Sequence, residues 1–78
     1  MHECFVSFAT ARDVMDFVTI ATKQYFPIHV ERDSMQTSAT SIMSIFSMGL
    51  NRPLRVVVWD AGEGAARFLS QVKPYLVA

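Results

Sequence analysis

Residues 37–53, TSATSIMSIFSMGLNRP, decide the fold: a run of hydroxyl residues leads into a short apolar burst that Gly49 and Pro53 stop. Ile42, Met43, Ile45, Phe46, Met48 and Leu50 crowd together, more than one helical face can hold. The stretch reads as a helix over 40–49. At about 100° per residue, Ser41, Ile45 and Met48 fall on one arc. Ile42, Phe46 and Leu50, flanked by Met43, fall on the opposite one. Only one arc can face a sheet. If Ile45 and Met48 point inward, then Ile42, Met43 and Phe46 form an outward apolar patch of the kind that docks another protein, and Met is suited to such surfaces. If Ile42 and Phe46 point inward, Met48 is left outside. The pattern alone leaves both arrangements open. The hydroxyls also have two readings. Ser38, Thr40 and Ser41 lie where an N-cap is wanted, a role that stabilises by about 1 kcal/mol. Most hydroxyl residues at such positions do only that; the functional alternative is phosphorylation, since a phosphate at a helix start is favoured by the free N–H groups.

Outward from this helix, the elements alternate. LRVVVWD (54–60) is the strongest strand in the chain, and ECFVSFA (3–9) is a half-buried one with Cys4, Val6 and Phe8 on a single face. Between them, Val14, Phe17, Val18 and Ala21 fit the i, i+3, i+4, i+7 template of a helix that ends near 23–25, before Pro27. Thr10 and Asp13 resemble a capping box at its start. PIHVERDSMQTSA (27–39) reads as a hairpin turning at RDSM, with a short polar second strand at 35–38. After the AGEG turn, Ala65, Phe68, Leu69 and Val72 mark a last helix with Glu63 in its first turn, stopped near Lys73 by Pro74. The order β-α-β-β-α-β-α predicts an α+β fold, an antiparallel sheet with helices on one face.

Composition narrows the function. Residues 1–78 suit one domain with a small core, at 51% hydrophobic and 18% charged. Seven basic and seven acidic side chains cancel, which argues against direct nucleic-acid binding, since that needs an excess of cations. The single cysteine, Cys4, forms no internal disulfide, and no Cys/His spacing suggests a metal site. MHECFVSF is too short and too charged for a signal peptide, and no apolar run approaches about 18 residues. No membrane span, no cofactor and a cytoplasmic setting are expected.

VERDSMQTSATSIMSIFSMGL (30–50) resembles the middle of HPr, the small phosphocarrier of the bacterial sugar phosphotransferase system. Members of that family carry S-I-M-G-(V/L)-M-S-L-G at a similar distance after a V-E pair. The resemblance implies an open-faced β-sandwich, a four-stranded antiparallel sheet with three helices on one side. It also implies that Ile42, Met43 and Phe46 are an exposed docking patch, and that Ser41 stands where many family members carry a regulatory serine phosphorylated by an ATP-dependent kinase. Two neighbours depart from the pattern: Thr40 replaces the usual Lys, and Ser44 the small Gly.

The family's catalytic loop, G-(L/I)-H-A-R-P-A, departs further. Laid on it, Ala11 and Arg12 match, whereas Thr10 falls on the histidine and Asp13 on the proline. Phosphoryl relay needs an imidazole, which is both nucleophile and leaving group near neutral pH, whereas a threonine ester would hold its phosphate. Asp13 adds negative charge beside the site. Arg12 could hold an anion or pair with Asp13 or Asp16. His2, at the chain start, and His29, within a strand, do not stand in for the missing group. The resemblance therefore implies a histidine-lacking, HPr-like regulatory module rather than an enzyme, a monomer or weak dimer. Its partners would be phosphotransferase components, a serine kinase or a transcription regulator, as in the catabolite-repression branch of the family. Two alternatives stand beside it: a divergent phosphocarrier with a shifted site, and an interaction domain with no phosphorylation.

Overall fold

The structure, a computed structural model, describes residues 1–60 and 62–77. Its elements run β1 (His2–Val6), α1 (Ala11–Thr22), β2 (Ile28–Arg32), β3 (Met35–Ser38), α2 (Ile42–Ser47), β4 (Leu54–Val58) and α3 (Glu63–Gln71), followed by a 3-10 turn at Lys73–Tyr75. The sheet order is β1-β4-β2-β3, with every neighbouring pair antiparallel. The valine-rich β4 lies between β1 and β2, as its composition demands: Leu54, Val56, Val57 and Val58 are all buried. Each such side chain contributes roughly 1.5–3 kcal/mol by leaving water. β3, with its exposed polar residues, takes the edge.

One face of the sheet carries the core. Val6, Ile28, Val30, Leu54, Val56 and Val58 join a cluster with Val14, Phe17 and Ala21 of α1, Ile45 of α2, and Ala65 and Phe68 of α3. Phe17 bridges its centre, in edge or tilted contact with Phe8 and Phe68. Among the described residues, no helix lies on the opposite face. Its residues are mostly polar, and Arg55 there donates to both Glu3 and Glu31. This is an open-faced, four-stranded α+β sandwich.

Several expected boundaries move. β1 begins at His2 and ends at Val6, not residue 9, because the chain turns in toward the core: Phe8 is buried beyond the strand. Ser7 and Val77 donate backbone bonds to Tyr75 and Phe5, so the C-terminal segment lies along the end of β1 and covers part of that edge. β4 stops at Val58, since Asp60 is drawn away to serve α3: its Oδ2 accepts from Gly62 N (3.2 Å) and Ala65 N (3.1 Å). α2 is shorter than 40–49, with Ser41 at its N-cap position and Gly49, at φ 102°, releasing the chain. Pro74 does end α3, through the 3-10 turn. The β2–β3 turn places Asp33 at φ 54°, a left-handed conformation that a short polar side chain tolerates.

Candidate functional site

α2 settles the question of its two arcs. Ile45 is 0% exposed and Met48 1%, whereas Met43 is 75% exposed and Phe46 42%. Ile42 lies between, half-buried and packed on the rim of the core. A six-residue helix that packs against α1 through one side thus leaves an apolar strip on the other. Contiguous exposed apolar side chains of this kind are found at interaction surfaces. On α1, which packs against α2, Met15 is 51% exposed, an apolar residue that the periodicity did not single out as functional. Only its place just beside the core positions Val14 and Phe17 could have drawn attention to it.

Ser41 differs from its expected capping role. It occupies the N-cap position with extended backbone, yet its side chain makes no bond to the first helical amides. Its hydroxyl donates instead to Ser44 Oγ at 2.9 Å, one turn on. Ser38 and Thr40 form a separate pair, their hydroxyls 2.8 Å apart, with Thr40 N donating to Ser38 Oγ. The three hydroxyl residues therefore split, and none caps α2 with its side chain.

The start of α1 is organised differently. Thr10 is its N-cap, and its Oγ1 accepts from Asp13 N at 3.2 Å. A capping box would return the Asp13 carboxylate to the N–H of Thr10; here Asp13 Oδ2 accepts from Ala9 N at 3.0 Å. The carboxylate thus reaches one residue further back than in a capping box, over an extended Thr10 (φ −139°, ψ 165°). Arg12 is paired with Asp16 at 3.4 Å, not with Asp13, and both side chains are largely in solvent. Such an exposed pair contributes at most about 1 kcal/mol. Tyr75 stands near this acidic start, edge-on to Phe8; burial, then Asp16 and Asp13, push its phenol above the ordinary value.

Among the described residues, no three His, Cys, Asp or Glu side chains cluster to hold a metal ion, and no helix is long and apolar enough to cross a membrane. No family model matches the sequence, and no curated protein matches it either. Solved structures do match. HPr-C-His from Thermoanaerobacter tengcongensis has a TM-score of 0.73 and 26% identity, covering 94% of this chain and 92% of that one. The chain has an HPr-like fold. A phosphocarrier protein HPr from Bacillus anthracis has a TM-score of 0.72 at 23% identity, covering 97% of this chain and 96% of that one. In this HPr-like chain, the exposed strip on α2 and the closed start of α1 belong to adjacent helices on the covered side of the sheet, whereas His29 lies on the open side.

Proposed function

We propose that this HPr-like chain is a non-enzymatic regulatory binding module, which meets protein partners through Ile42, Met43 and Phe46 and is switched by phosphorylation of Ser41. The observation that carries the reading is the division of α2: Ile45 and Met48 are sealed, while Met43 and Phe46 are exposed. An unshielded methionine and phenylalanine on one short helix offer a partner apolar area at little cost to the fold.

Ser41 suits a switch because its hydroxyl is not spent on capping. The first amides of α2 receive no bond from it, and Ser44 Oγ, 2.9 Å away, could donate to a phosphate. A phosphoserine would bring about two negative charges to the edge of the apolar strip, a pairing that an arginine-bearing partner reads by charge-assisted hydrogen bonds. The start of α1 supports the loss of phosphoryl relay. Thr10, on the family's histidine position, has a hydroxyl that accepts a backbone bond, and the Asp13 carboxylate already occupies the Ala9 amide. By resemblance, the partners are phosphotransferase components, a serine kinase or a transcription regulator in a bacterial cytoplasm, and Arg12 is a secondary contact.

Incubation with ATP and a serine kinase that acts on HPr, followed by mass spectrometry, tests the switch. One phosphate at Ser41, absent in Ser41→Ala, is the expected result; an unmodified chain or a phosphate elsewhere refutes the switch. Phe46→Ala and Met43→Asp should weaken capture of an HPr-recognising partner at least about tenfold, as loss of central apolar contacts does. Unchanged capture would refute the docking strip.

A further inference from the structure

The open face of the sheet holds an arrangement that docking through α2 does not use. The indole Nε1 of Trp59 lies 3.0 Å from Nδ1 of His29, and the Gln36 side-chain nitrogen lies 3.1 Å from the same Nδ1. An indole N–H can only donate, so Nδ1 must be the acceptor. With Nδ1 accepting, the ring's own N–H is at Nε2, and the Gln36 amide supplies a second N–H to the same lone pair. The two rings meet edge-on, with centroids 6.2 Å apart.

Around this junction lies Val57, 1% exposed although it belongs to the open face and stands outside the core cluster. Its cross-strand partners are Glu3 and His29, and its same-face neighbours along the chain are Arg55 on β4 and Trp59 just past its end. Trp59 itself is 49% exposed, so its indole lies at the surface, on the same face as Val57, rather than in the core. Its backbone is anchored separately, through Trp59 N to Pro27 O at 3.0 Å, which leaves the side chain as the part free to move.

We infer that His29 is a proton-operated latch for the Trp59 indole on the open face of the sheet. Neutral His29 holds the indole and the Gln36 amide together. A proton taken from solvent at Nδ1 replaces the lone pair that both donors share, and two N–H groups then oppose a third. Gln36 can rotate its amide to present oxygen to the new N–H. Trp59 has no such alternative, so its side chain leaves and uncovers Val57. The charged groups on this face do not compensate. Glu3 on β1 and Glu31 on β2 are both engaged by Arg55 of β4. β3 contributes the uncharged Gln36 and Ser38. Asp60 is bonded to the start of α3. His2, paired with Val58, has the opposite strand parity, and the Met1 amino group at the head of β1 is itself a cation that cannot offset a charged imidazole. The result is a surface whose exposed apolar area depends on proton concentration.

Trp59 is the single tryptophan, which makes the latch directly readable. The intact chain is titrated between about pH 5 and 8, where imidazoles change charge, with nitrogen-15 NMR of both rings and tryptophan emission. Expected are the Nε2–H tautomer of His29 at the upper end, and an upfield movement of the Trp59 indole proton that follows His29 protonation. A single emission transition should accompany it, lost in His29→Gln and retained in His2→Gln. An Nδ1–H tautomer at the upper end would overturn the latch. So would an indole resonance that stays in place while His29 titrates, or a Trp59 transition that survives His29→Gln. The tautomer measurement needs no substitution, so it decides the matter even if a variant folds poorly.

Discussion

Two helices of this chain begin with a hydroxyl residue, and the two starts are built in opposite ways. At α1, Thr10 accepts from Asp13 N and the Asp13 carboxylate accepts from Ala9 N, so side chains satisfy the backbone donors on both sides of the cap. At α2, Ser41 turns to Ser44 and leaves the first amides without a side-chain partner. The comparison teaches that a residue type at an N-cap position does not settle its role. What surrounds it does: an acidic residue three positions on closes the first start, and a serine three positions on leaves the second open. In the function proposed above, α1 would be the relay position that has closed and α2 the position that remains available.

The contrast depends first on how α2 is oriented, and that is where the largest effect is expected. Ile45→Ala should destabilise the fold by about 2–5 kcal/mol, as loss of a sealed core side chain does. Met43→Ala on the same helix should stay within about 0.5 kcal/mol. Denaturant unfolding of both variants checks this, and equal losses would mean that α2 has no free side.

The two starts can then be compared directly. Thr10→Ala removes a working cap and should cost about 1 kcal/mol. Ser41→Ala removes a hydroxyl bonded only to another hydroxyl, and should change stability by less than about 0.5 kcal/mol. A Ser41→Ala loss as large as that of Thr10→Ala would show Ser41 to be a structural cap after all.

A smaller effect tests the surroundings of α1. Burial holds the Tyr75 phenol above its ordinary value, with Asp16 and Asp13 adding to it, and burial, then Glu3, do the same for the Cys4 thiol. Both groups keep their protons more tightly when folded than when unfolded. Their stabilising contribution is complete below the unfolded values and is lost as pH climbs through the raised ones. Thermal melts should therefore hold level from neutrality and fall once pH passes about 8.5–10. Tyr75→Phe should make that fall shallower; an identical fall would separate Tyr75 from it.

Much of this architecture was legible in the sequence, for identifiable reasons. The valines of 56–58 admit little but a central strand, and Val14, Phe17 and Ala21 at helical spacing can only line a buried face. The inward arc of α2 was legible only as one of two choices, because a six-residue helix gives periodicity little length to act on. Less accessible were contacts that depend on where a side chain turns rather than on spacing. Asp60 reaches forward to α3 and Asp13 back to Ala9, and neither direction follows from residue type. The C-terminal cover over β1 and the meeting of His29, Gln36 and Trp59 need strands far apart in the chain to be aligned first. The position of Ser41 at the helix start was expected; the bond its hydroxyl makes was not.

The most direct measurement of the contrast between the two starts is a phosphoryl-transfer assay on the unmodified chain. Labelled phosphoenolpyruvate and the first enzyme of a sugar phosphotransferase system are supplied, with an authentic HPr alongside as the positive control. Thr10 in the histidine position, with its start closed by Asp13, should leave this chain unlabelled while the control is labelled. Acid-labile phosphate on the chain, at His2, His29 or elsewhere, would contradict the loss of relay and make it a working phosphocarrier.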